Sequence, residues 1–242
     1  MIVRRARSVV AVCAALAALM AATGAHAAGL GGLTALSLGA QDEAASIVAP
    51  VIIACDDFGR PASTGSALVG RSVQLPSSCG SFNWSSHLGT WTISSGQLAA
   101  TTTNASATIA AGQTDISAEA TILNANGSSR SAGVAINHSG VSRIYLVAAL
   151  VGPGTVRLRL VNGSTITSLA SATAVITATT VVRITRVGNT VKVSVNGALR
   201  ISYTLTNAQV TMLSGGTRVG LYWYSGSAIR FKAILATQPV SP

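Results

Sequence analysis

Val181-Val182-Arg183-Ile184-Thr185-Arg186-Val187-Gly188-Asn189-Thr190-Val191-Lys192-Val193-Ser194-Val195-Asn196-Gly197 alternates aliphatic and polar side chains on either side of a Gly-Asn pair. Neighbouring side chains on a strand point to opposite faces, so the alternation marks two half-buried strands. Glycine supplies the positive φ that a two-residue hairpin turn demands, and Gly188-Asn189 therefore joins them. With a tight turn Arg186 faces Val191, Ile184 faces Val193 and Val182 faces Val195, which gives one aliphatic face. Arg183, Thr185, Lys192 and Ser194 then fall on the other face. Arg186 is the misfit on the aliphatic side and belongs near the sheet rim.

The same division recurs upstream. Arg143–Leu150 and Thr155–Val161 flank Val151-Gly152-Pro153-Gly154. Packing Ile144, Leu146, Ala148 and Leu150 with Val156, Leu158 and Leu160 as core leaves Arg143, Tyr145, Arg157 and Arg159 on the opposite side. Asn162-Gly163 and Asn196-Gly197 are two more hairpin signals. Further strands are expected at Gln97–Thr101, Ile116–Leu123, Ser131–Asn137, Leu199–Thr204, Arg218–Tyr224 and Arg230–Leu235, with almost no helical periodicity. The pattern predicts an all-β domain of two antiparallel sheets over residues 55–238, long enough to bury a core of its own.

Upstream of that domain, Arg4, Arg5 and Arg7 precede an apolar run from Val9 to about Ala22, and Ala25-His26-Ala27 supplies a small-x-small cleavage pattern. Residues 1–27 therefore read as an export signal, too short in its apolar part for a membrane-spanning stop-transfer helix. Residues 28–54 read as a linker or lead-in, whose apolar stretch from Ala44 to Ala54 either packs on the domain or enters it as an edge strand. Removing the signal takes away three of the sixteen basic side chains and none of the six acidic ones, leaving a net charge of +7. A basic exported protein suits anionic polymers such as acidic polysaccharide, wall phosphate or lipid headgroups, although solubility alone also accounts for the charge. Cys55 and Cys79 remain as an even pair in a disulfide-permissive compartment, and a bridge between them is expected to contribute roughly 3 kcal/mol.

Asp56-Asp57-Phe58-Gly59-Arg60-Pro61 is followed in order by Trp84, Gly89-Thr90-Trp91-Thr92-Ile93, Gly96-Gln97-Leu98, Val195-Asn196-Gly197, Arg218-Val219-Gly220-Leu221-Tyr222 and Arg230-Phe231. This ordered set, from about Cys55 to Leu235, resembles exported laminin-G-like domains of the concanavalin A-like lectin/glucanase superfamily. The resemblance implies a jelly-roll sandwich with one concave sheet used for ligands. Trp91, Phe58 and Phe231 are expected in the core, and Trp84 as an anchor of its loop to the core. Members of the family often carry an acidic residue after the closing Phe that joins an early carboxylate near calcium. Here Lys232 and Ala233 stand in those positions, which leaves Asp56 and Asp57 as the calcium candidates, their other role being to bond a turn or pair with Arg60. No other cofactor is implied.

Catalytic members of the superfamily carry several carboxylates on one strand face. Only Asp115 and Glu119 occur in the equivalent neighbourhood, and their spacing puts them roughly 13 Å apart, too far for paired-carboxylate glycoside cleavage. His87 and His138 are expected in surface loops, and no Gly-x-Ser-x-Gly elbow accompanies them. The reading that follows is an exported, non-catalytic module binding extracellular or cell-envelope glycan, with Arg143, Tyr145, Arg157, Arg159, Arg183 and Lys192 as candidate contacts. Its rivals are an adhesive envelope protein that contacts other proteins, and a polysaccharide lyase using Tyr145, Arg157 and Arg159. Nucleic acid is not an expected partner, because charge alone points to it.

Overall fold

The computed structural model describes residues 50–59, 68, 72–74, 81–126, 131–225 and 228–239. In chain order the strands are β1 (Ile52–Asp56), β2 (Ser72–Gln74), β3 (Ser81–Asn83), β4 (Ser85–Leu88), β5 (Trp91–Ser94) and β6 (Gln97–Ala100). They continue with β7 (Ala105–Ala110), β8 (Ile116–Leu123), β9 (Ser131–His138), β10 (Ile144–Val151), β11 (Thr155–Asn162) and β12 (Thr165–Thr173). The last are β13 (Thr179–Val187), β14 (Thr190–Val195), β15 (Ala198–Thr204), β16 (Arg218–Ser225) and β17 (Arg230–Thr237). One short helix, α1 (Asn207–Leu213), starts at Thr206, whose hydroxyl accepts from the Gln209 backbone N–H while the Gln209 side chain accepts from the Thr206 N–H.

Two antiparallel sheets form a sandwich. One has the order β15-β14-β13-β8-β17-β6-β5, with β1 also paired to β17, and the other the order β12-β11-β10-β9-β16-β7-β4. The expected register of both hairpins is present: Ile184 opposes Val193 and Val182 opposes Val195, while Leu146 opposes Leu160 and Ala148 opposes Leu158. Their aliphatic faces meet in one core between the sheets. Arg186 sits on that inner side near the rim, where its Nε donates to the Gly188 carbonyl at 2.8 Å and the carboxylate of Asp115 lies close by.

The first and last strands come together as the aromatic residues require. Phe58 lies 5.9 Å from Trp84 and Trp91 lies 6.1 Å from Phe231, centroid to centroid, all four rings buried. Asp56 is itself buried and accepts from the Phe58 backbone N–H and from the Trp84 indole N–H, both at 2.8 Å. Trp84 is thereby the anchor expected of it. Ile52–Asp56 pairs with β17, so the end of the apolar stretch enters the eight-stranded sheet. The export signal, most of the lead-in and Cys79 lie outside the described residues, while Cys55 is half-buried on β1. Among the described residues no helix is long and apolar enough to cross a membrane.

Candidate functional site

The two hairpins belong to different sheets, so their polar faces point away from each other. Arg143, Tyr145, Arg157 and Arg159 belong to the outer side of the seven-stranded sheet. Arg183 and Lys192 lie on the outer side of the eight-stranded sheet, beside a cavity of ≈ 540 Å³. There Arg183 is held by Glu119, with Nε and Nη2 at 2.8 and 2.6 Å from Oε2. The six candidates therefore form two groups rather than one.

On the seven-stranded sheet the outward residues do more than meet solvent. Tyr145, Val147, Ala149, Val161, Ala135 and Tyr222 make a second apolar cluster, separate from the sandwich core. Small residues create the space around it. A side chain on Gly133 would collide with the Ala148 carbonyl and one on Gly220 with the Ala107 carbonyl, so backbone alone fits at these two outward positions. Beside the cluster the Arg159 Nη1 donates to Ser131 Oγ at 3.3 Å, and its guanidinium lies next to the Tyr222 hydroxyl. Arg143 reaches the same region through a left-handed backbone at φ 52, where it closes the 3-10 turn Gly140–Ser142.

A column of rings crosses this face. His87 stacks on His138 and His138 on Tyr145, each at 4.5 Å, and Tyr145 is tilted against Tyr222 at 6.3 Å. The histidines are therefore not loop residues. His138 is fully buried at the end of β9 and His87 is half-buried on β4. The Gly140 N–H donates to His138 Nδ1 at 2.9 Å, which places the ring proton on Nε2. Burial, with the neighbouring His87, Arg218 and Arg143, pushes the His138 pKa down to about 3, so the ring is neutral at physiological pH. Burial and the Arg218 charge also lower the His87 pKa. Arg218 Nε donates to Thr108 Oγ1 at 2.7 Å, and the same oxygen lies 2.7 Å from His87 Nε2. The pKa of Tyr145 is raised by burial and by Tyr222.

Next to the ring column lies a groove of ≈ 530 Å³, whose wall includes Arg143, Tyr145, Ser106, Tyr222 and Tyr224. None of the four described carboxylates reaches it: Asp56 is bonded to Trp84, Asp57 to the Gly59 N–H, Asp115 to the Gly188 N–H and Glu119 to Arg183. No carboxylate pair is available there for glycoside hydrolysis. His138 is buried and is not among the residues of the groove wall, and burial raises the pKa of Tyr145. For calcium, both Asp56 oxygens already accept N–H bonds, and no group of three His, Cys, Asp or Glu converges among the described residues.

Tyr222, Tyr224 and Ser106 in the groove wall, and Arg218 and the two histidines beside it, are residues that the hairpin argument did not single out. The signal was present for three of them, since alternation through Arg218-Val219-Gly220-Leu221-Tyr222 places Arg218, Tyr222 and Tyr224 opposite the buried Val219, Leu221 and Trp223.

Neither a protein-family model nor a curated protein matches the chain. Solved structures do. The carbohydrate binding module CBM66 from Bacillus subtilis superposes with a TM-score of 0.52 at 16% identity, over 64% of this chain and 94% of that one. The GH43 BlXynB protein from Bacillus licheniformis gives 0.51 at 16% identity over 76% of this chain, which spans only 39% of that protein. A structure associated with endo-acting O-glycanases that members of the human gut microbiota express to initiate mucin breakdown gives 0.51 at 10% identity, over 78% and 100%. At such identities the likeness establishes a shared β-sandwich fold alone.

Proposed function

We propose that the chain is an exported, non-catalytic sandwich module of laminin-G-like type that binds an extracellular or cell-envelope glycan, with a preference for anionic polymers. Binding takes place on the outer side of the seven-stranded sheet. The observation that carries this reading is the groove walled by Tyr145, Tyr222, Tyr224 and Arg143, with no carboxylate among its described lining residues and with Arg159 beside Tyr222 on the same face. Guanidinium groups donate to hydroxyl and carboxylate oxygens, and tyrosine faces stack on sugar rings, so the two residue types together suit a charged saccharide. The fold shared with a carbohydrate binding module supports the reading. A Cys55–Cys79 bridge belongs to the same proposal and is checked by mass analysis with and without reductant.

The test is a titration calorimetry panel of neutral and acidic oligosaccharides against paired variants. Replacing both Arg157 and Arg159 by Ala is expected to weaken binding on the order of ten-fold, the effect of losing charge-assisted hydrogen bonds. Replacing Arg183 and Lys192 by Ala, on the opposite sheet, is expected to change affinity less than about two-fold. Unchanged affinity in the first pair removes the site assignment.

A further inference from the structure

We infer that the groove floor carries a carboxylate-recognition subsite, built from Ser106 Oγ, Tyr222 Oη and Arg143 Nε, that takes the acid group of a uronic-acid residue. The inference rests on the glycan-binding reading and narrows it from anionic polymers in general to carboxylated sugars.

Ser106 and Tyr222 oppose each other directly across β7 and β16, so their side chains share one patch of sheet. Both are almost wholly buried, at 2% and 3% exposure, and both line the groove. The two side chains do not hydrogen-bond to each other. Ser106 Oγ has no hydrogen-bond partner among the described residues. The Arg159 guanidinium lies beside Tyr222 Oη and can only donate to it, so the hydroxyl proton of Tyr222 has no acceptor among the described residues. Arg143 Nε, in the wall of the same groove, is likewise buried and unpartnered.

A buried polar group left unbonded raises the free energy of the folded state, and a ligand that bonds it recovers that cost. The chemistry of the three groups selects the ligand. Each can donate a proton, the guanidinium cannot accept one, and no described carboxylate stands nearby as a competing acceptor. A group with several lone pairs and negative charge satisfies all three, and the two oxygens of a carboxylate offer about four acceptor positions. Arg143 is presented by a left-handed backbone that a non-glycine residue adopts only at a cost, which is characteristic of positions where placement of the side chain matters more than local stability. Tyr224, 44% exposed at the same groove, offers a ring face for the sugar.

The experiment measures binding of the purified protein to tetramers of galacturonate, mannuronate and guluronate, to their methyl esters, and to neutral and sulfated oligosaccharides. At least one uronate is expected to bind on the order of ten-fold more tightly than its own ester. Tyr222→Phe and Ser106→Ala are each expected to remove most of that preference, lowering affinity for the acid more than for the ester. Arg143→Gly is expected to narrow the difference between acid and ester likewise, without lowering the melting temperature, because glycine accepts the left-handed backbone freely. Equal binding of acid and ester, equal binding of a sulfated oligomer with the same sensitivity to these variants, or a preference that survives all three substitutions overturns the subsite and leaves the glycan-binding reading standing. No binding to any glycan overturns that reading itself and the subsite with it.

Discussion

Acidification from pH 6.5 to about pH 5 is expected to destabilise the folded domain by about 2 kcal/mol. The cause is His138, buried between His87 and Tyr145, with Arg143 and Arg218 adding positive potential around it. In the unfolded chain such a ring titrates near 6.5; in the fold its pKa is about 3. Between these values the unfolded state binds the proton and the folded state does not, so stability falls with pH through that window and is level above it. His87, whose pKa is also lowered, acts in the same direction. The upper part of the window lies above the ordinary carboxylate range, which isolates the imidazoles. Urea unfolding at several pH values measures the slope directly. In His138→Gln, whatever its stability at neutral pH, the slope below pH 6.5 is expected to be shallower. A wild-type stability that is level from pH 7 to 5 contradicts the buried, neutral assignment.

Asp56→Ala is expected to cost about 3 kcal/mol, because it strips the acceptor from two buried donors at once. The Trp84 indole N–H and the Phe58 backbone N–H both lose their partner, and Phe58 holds a left-handed φ of 53 that the bond to Asp56 supports. For a domain of this size the loss lowers the melting temperature by roughly 6 to 12 °C. A double-mutant cycle separates the contributions: in a Trp84→Phe background the indole donor is gone, so Asp56→Ala is expected to cost less. A change within about 0.5 kcal/mol in the single variant is incompatible with this carboxylate joining β1 to Trp84.

Alternation made both long hairpins legible, down to the pairing of Ile184 with Val193, because one aliphatic face per hairpin fixes the register. It was silent on which sheet each hairpin joins. That depends on long-range partners, β13 on β8 and β10 on β9, and it is why Arg183 and Lys192 are separated from Arg157 and Arg159. β7 and β12 escaped notice because Ala, Ser and Thr dominate them and give little hydrophobic contrast between faces. The seven-residue helix α1 is too short to show a period, although Thr206 and Gln209 carry its capping signature. His138 was unreadable for a different reason. Asn137 adopts a φ of 53 and the pairing shifts between Arg218–His138 and Gly220–Ala135, so a bulge turns the next side chain onto a face that simple alternation does not assign to it.

The most direct measurement is a chemical-shift map of the backbone amides while an acidic oligosaccharide is titrated in. The account predicts perturbations gathered on β7, β10, β11 and β16 and on the turn at Gly140–Ser142, with β13 and β14 unmoved. Perturbations centred on β13 and β14, with the groove between Arg143 and Tyr222 unaffected, contradict it.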